Sequence, residues 1–159
     1  MPLVRIENAK VSVAPPPPGW KSFHFKVQNF KDLPTTRDHY VKTPEFSCNG
    51  HQWDLAIYPG GKDNAAEGCV SFYLFHGSEG NITDNYELMI IDKFGKTKKA
   101  YQSTYNFEIK GQGYGRPNFI KRSDILDESQ NILDSDGTLT VGVSIDEVPA
   151  DVFVPKNPA

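Results

Sequence analysis

The sequence predicts an antiparallel β-sandwich of about eight strands, and three observations carry that expectation. Apolar and polar residues alternate with period two in one segment after another, turn signals recur at short intervals between those segments, and no stretch shows a long helical period. Segments that bury one face each become stable when two sheets cover each other.

The alternation begins with Phe23, Phe25 and Val27 against His24, Lys26 and Gln28. A turn at Cys48-Asn49-Gly50 leads into Trp53, Leu55 and Ile57, which alternate with Asp54, Ala56 and Tyr58 and stop at Pro59-Gly60-Gly61. Val70, Phe72 and Leu74 then alternate with Ser71, Tyr73 and Phe75, so Tyr73 is expected on the solvent side. Tyr86 shares parity with Leu88 and Ile90 before the Phe94-Gly95 turn, as Tyr105 does with Phe107 and Ile109. The clearest strand comes last: Leu139, Val141, Val143 and Ile145 face one way and Thr138, Thr140, Gly142 and Ser144 the other, after the turn Asp134-Ser135-Asp136-Gly137. One short helix is expected near 122–128, with Ser123 as its cap, Asp124 in its first turn, and Ile125 and Leu126 tucked under the sheets.

The domain proper is expected over 19–148. Pro15 to Pro18 cannot join a strand ladder and favour a stiff polyproline stretch, which makes 1–18 an N-terminal tail. Leu3, Val4, Ile6, Val11 and Val13 are apolar enough to pack as an extra edge, although Asn8 and Ala9 interrupt their period. Residues 149–159, with two prolines among the last eight positions, read as a C-terminal linker.

A chain of 159 residues accommodates one domain with a core that needs no staples. A formal charge of -3 argues against nucleic acid, which calls for a clustered excess of lysine and arginine, and no apolar run suggests a membrane anchor. Cys48 and Cys69 lack metal or redox spacing, so reduced thiols in the cytoplasm or nucleus are expected. Catalysis requires a nucleophile with its base, paired carboxylates or convergent metal ligands, and the sequence has none of those signatures. His24, His39, His51 and His76 are scattered and read as solvated strand or loop residues; no metal site, no cofactor and no enzymatic activity are expected. Gly60-Gly61-Lys62 imitates the end of a phosphate loop without its upstream glycine, and Asp134 with Asp136 imitates a calcium loop without its closing glutamate.

Several blocks in order carry a resemblance: Val27 to Phe30, Phe46 to Gly50, Trp53 to Gly61, Val70 to Leu74, Tyr86 to Gly95, the run Gly111 to Ile120 reading GQGYGRPNFI and followed by Lys121-Arg122, and Asp134 to Val143. Together they resemble the signature of the meprin and TRAF-C homology (MATH) domains, β-sandwiches that bind short extended peptides on one sheet. The resemblance implies a groove lined by Tyr73, Tyr86, Tyr105 and Tyr114, with Ala56, Gln112, Gly113 and Arg116 at the remaining groove positions. Parity alone would turn Tyr86 and Tyr105 into the core, where their hydroxyls would need buried partners. Tyr58 to Gly61 and Phe119 to Arg122 are most similar to the MATH-BTB branch, typified by the speckle-type POZ protein. That branch carries arginine where this chain has Ala56, Lys-Asp where it has Gln112-Gly113, and phenylalanine where it has Arg116, so its serine-rich ligands should bind poorly here.

The resemblance implies a peptide-binding interaction domain serving as the substrate-recognition module of a MATH-BTB adaptor, with a BTB domain after the linker contacting a cullin ubiquitin ligase. Two alternatives stand beside it. One is a self-associating or TRAF-like scaffold module, and the other is a carbohydrate-binding sandwich whose tyrosines stack on sugar rings.

Overall fold

The period-two segments become two facing sheets. The computed structural model describes residues 3–14 and 20–147; the proline run at Pro15 to Pro18, the expected boundaries at 19 and 148 and the linker 149–159 lie outside them. Eleven strands occur among the described residues, more than the eight expected, because short segments at the N-terminus and around Phe46 also pair. They are β1 (Val4–Arg5), β2 (Val11–Ala14), β3 (Lys21–Val27), β4 (His39–Lys42), β5 (Phe46–Cys48), β6 (His51–Tyr58), β7 (Cys69–His76), β8 (Ile82–Ile91), β9 (Thr97–Phe107), β10 (Gly113–Lys121) and β11 (Leu139–Ile145). One sheet runs β1-β4-β6-β7-β10, with β5 also on β6; the other runs β2-β3-β11-β8-β9. All pairings are antiparallel except β1 with β4.

The N-terminal segment assigned to a tail is therefore in part sheet. Val4–Arg5 joins one sheet and Val11–Ala14 the other, and the Asn8-Ala9 interruption is where the chain crosses between them, with Asn8 in the left-handed region at φ 67°. A single period could not persist through a segment that changes sheets.

The core follows the predicted phase. Leu139, Val141, Val143 and Ile145 are fully buried, between Val27, Phe25 and Phe23 on one neighbouring strand and Leu88 and Ile90 on the other. From the opposite sheet come Trp53, Leu55, Ile57, Val70, Phe72 and Leu74. Phe23 is only half-buried and stacks on Phe46 at 4.4 Å between ring centroids. Leu139→Ala should cost about 2–5 kcal/mol through lost burial and the cavity left behind. Urea unfolding checks this, and an unchanged midpoint would mean that the strand phase is wrong.

The Tyr58 to Gly61 block has a steric explanation. A Cβ on Gly60 would sit 2.0 Å from the Thr35 carbonyl oxygen, so the turn closes against the preceding loop only without a side chain. The acidic turn at Asp134 is closed by its own carboxylate: Oδ1 accepts from the amides of Asp136 and Thr138 at 3.1 and 3.0 Å. The helix is shorter than expected. It spans α1 (Arg122–Leu126) with Lys121 at the N-cap and no side-chain cap, so Ser123 does not serve as one, and a 3-10 turn follows at Glu128–Gln130. Ile125 is buried under the sheets, whereas Leu126 is exposed.

Candidate peptide-binding edge

β10 is the last strand of its sheet, and among the described residues no strand pairs with its outer side. Such an edge offers a row of backbone donors and acceptors to an incoming extended chain. The side chains expected to form one groove lie on both sides of this strand.

On the outer face, register sets two rows across β6, β7 and β10. Ala56, Tyr73 and Gly115 form one row, and Asp54, Phe75 and Gly113 form the next. Tyr73 thus lies between two of the smallest residues available, and its half-buried ring meets Tyr58 edge-on at 5.9 Å. The Lys62 ammonium caps both rings, 5.1 Å from Tyr58 and 5.4 Å from Tyr73. In the next row Lys42 lies 4.4 Å over Phe75 while pairing with Asp54 at 3.1 Å. The glycines on β10 are required by close approach: a Cβ on Gly115 would meet the Phe72 carbonyl oxygen at 2.2 Å and Tyr73 Cα at 2.7 Å.

The other side is a seam where the open edges of the two sheets meet. Tyr114 and Arg116 are opposite Leu74 and Phe72, so they share the inward face of their sheet. They stay reachable because β10 is at its margin; Tyr114 keeps 37% of its surface exposed. Tyr105 comes from β9 and stacks on Tyr114 with ring centroids 4.0 Å apart and planes 10° from parallel. Gln112 braces the pair, donating from Nε2 to the Tyr105 hydroxyl at 3.1 Å and accepting at Oε1 from the Glu108 amide at 2.6 Å. Farther along, the Arg116 guanidinium lies 4.9 Å over Tyr101.

The two tyrosines of ambiguous parity part company here. Tyr86 is in the core with no exposed surface, its hydroxyl donating to the Tyr114 carbonyl at 3.4 Å, so it supports the seam without lining it. Tyr105 is half-buried and does line it. Burial holds the Tyr73 and Tyr86 hydroxyls above the ordinary tyrosine pKa, and the neighbouring Tyr101 does the same for Tyr114. These phenols therefore remain neutral donors at physiological pH. Residues not singled out from sequence also contribute: Phe75, Tyr58 and Lys62 on the outer face and Tyr101 in the seam. Tyr101 shares the parity of Tyr105, and Phe75 that of Tyr73, which are the signals that point to them.

The histidines depart from the solvated reading most strongly at His76, and in part at His24, whose Nε2 is buried. His76 is fully buried, and its Nε2 lies 2.6 Å from His51 Nδ1 beside Trp53 and Phe107. Sequence spacing conceals this because the two residues meet only across the β6–β7 pairing. Among the described residues no group of three or more histidine, cysteine, aspartate or glutamate side chains is placed to hold a metal ion. Nor is any helix among them long and apolar enough to cross a membrane.

The family model of the MATH domain matches residues 22–145. The chain belongs to the MATH domain family. MATH domains are protein-interaction domains, and the sandwich with its open edge strand is the form that the family takes here. The domain is 30% identical to the BTB/POZ and MATH domain-containing protein 6 of Arabidopsis thaliana, a match over 74% of this chain and 30% of that protein. It is 29% identical to the probable inactive serine/threonine-protein kinase fnkC of Dictyostelium discoideum, over 65% of this chain and 8% of that protein. The chain thus spans less than a third of the length of these relatives. Among solved structures, TRAF5 of Notothenia coriiceps superposes with a TM-score of 0.58 at 13% identity, covering 87% of this chain and 76% of that one, a likeness of fold.

Proposed function

We propose that this MATH domain binds a short extended peptide that adds to the free edge of β10, and that it is the substrate-recognition module of a MATH-BTB adaptor for a cullin ubiquitin ligase in the cytoplasm or nucleus. The observation that carries the peptide reading is the placement of aromatics on both faces of one open edge strand. A chain laid along β10 presents alternate side chains to opposite faces. One set meets Tyr73 and Phe75 across the open space left by Gly113 and Gly115, and the other meets Tyr105 and Tyr114. The split of the expected groove residues between two faces is what an added strand requires.

The adaptor role draws its support from the Arabidopsis relative, whose name couples MATH to BTB/POZ. Energetics favour such a coupling. A flexible peptide loses ordering entropy on binding, so a few aromatic anchors give modest affinity that becomes useful when a dimerising partner domain presents two edges at once.

Selection from a random-peptide display library tests the proposal, with Tyr73→Ala/Tyr114→Ala as the comparison protein. A consensus enriched by the wild-type domain and lost in a double variant that still melts cooperatively is the expected result. Absence of enrichment would overturn it, and sedimentation showing concentration-dependent oligomers would then favour self-association.

A further inference from the structure

The seam beside β10 changes character along its length. At one end are the stacked Tyr105 and Tyr114 and the exposed Ile109, with Glu108 and Lys110 of the neighbouring loop cancelling in charge. At the other end the seam opens into a cleft of about 440 Å³ lined by Lys98, Lys99 and Lys121, with Asp124 the one carboxylate in its lining. All three lysines are exposed, and none of them makes an ion pair with another described residue. Arg116 lies between the two ends, held over Tyr101. In a chain whose formal charge is -3, a run of uncompensated cations along a free strand edge is a local departure from the whole.

Building on the peptide-binding reading above, we propose that the bound peptide is acidic at one end: an apolar anchor sits at Tyr105 and Tyr114, and Asp or Glu side chains lie beside Arg116, Lys98, Lys99 and Lys121. Distance supports the arrangement. β10 bulges between Arg116 and Ile120, so the regular neighbour sets the length: Tyr114 lies opposite Leu74 and Lys121 opposite Cys69, about 17 Å apart at roughly 3.3 Å per residue, the reach of an extended peptide of about five residues. The distribution of charge favours several carboxylates over one phosphate. Lys121 comes from β10 and Lys98 and Lys99 from the bulged start of β9, so the positive charge is spread across the two strands that border the cleft. The one planar guanidinium is already stacked on Tyr101. Exposed charges of this kind each add little, and together they select and orient a ligand.

The test selects peptides from a random display library on the wild-type chain and on Lys98→Gln/Lys99→Gln/Lys121→Gln, whose exposed substitutions should leave the melting temperature unchanged. Wild type is expected to enrich an aromatic or aliphatic anchor with an acidic block several residues away, and the triple variant to enrich the same anchor without the block. An anchor with no acidic block on wild type, or a block retained on the triple variant, overturns this inference while leaving the peptide-binding reading intact. No enrichment on either protein overturns both. A fluorescein-labelled synthetic copy of the consensus supplies the second arm. Replacing its acidic residues by Gln should weaken binding about tenfold in low salt, with the difference shrinking at about 0.5 M salt. If a phosphoserine copy binds while the Glu copy binds no better than the Gln copy, the carboxylate assignment is wrong and a phosphate reader takes its place.

Discussion

Trp53→Ala is expected to cost about 3–5 kcal/mol, a large share of the roughly 5–15 kcal/mol that holds an ordinary domain together. Trp53 has no exposed surface, meets Phe107 edge-on at 5.2 Å across the sandwich, and donates from its indole nitrogen to the Cys48 carbonyl at 3.0 Å. Truncation removes the largest ring of the core, leaves a void between the sheets and strips that carbonyl of its donor. Trp53→Phe separates the contributions, since it retains most of the volume while losing the hydrogen bond. Urea unfolding should rank wild type above Trp53→Phe and Trp53→Ala lowest. A loss below about 1 kcal/mol for the alanine variant would mean that the sheets do not close on this residue as described.

Gly115→Ala is expected to weaken the domain by about 1–3 kcal/mol and to abolish peptide capture at concentrations where wild type binds. The added methyl would be 2.2 Å from the Phe72 carbonyl oxygen and 2.7 Å from Tyr73 Cα, both backbone atoms that cannot rotate aside. β10 must move away from β7, which disturbs the row containing Ala56 and Tyr73 and also shifts Tyr114 relative to Tyr105. Stability and binding should therefore fall together. Binding retained at full strength in a destabilised Gly115→Ala variant would place the ligand away from β10.

The sandwich was legible because burial imposes a local rule, period two, on every strand that covers the core. Every apolar residue of the predicted inward set in Leu139 to Ile145, Trp53 to Ile57 and Val70 to Leu74 is buried, and the small Gly142, Ala56 and Ser71 of the opposite set are covered as well. What escaped was decided by position within the sheets. Tyr105 and Tyr86 have the parity of core residues, yet one lines the site and the other does not, because β9 is a margin strand and β8 lies inside the sheet. Tyr114 has inward parity as well and is reachable for the same reason. Val4–Arg5 and Val11–Ala14 are too short to show a period, and their pairing depends on distant partners. His76 is buried by its neighbours across the sheet, which no local pattern records. The glycines of the Gly111 block were visible as a motif; that Gly115 is needed for contact with Phe72 and Tyr73 emerges only from three dimensions.

The central claim is that the ligand pairs with the open edge of β10. Amide chemical shifts and hydrogen exchange of the isotopically labelled domain, titrated with the peptide that selection yields, test it most directly. Shifts and added protection concentrated at Gly113, Tyr114, Gly115 and Arg116, with side-chain changes at Tyr73 and Tyr105, are the predicted result. A titration that leaves the β10 amides unmoved while shifting residues of β2 and β3 would contradict it.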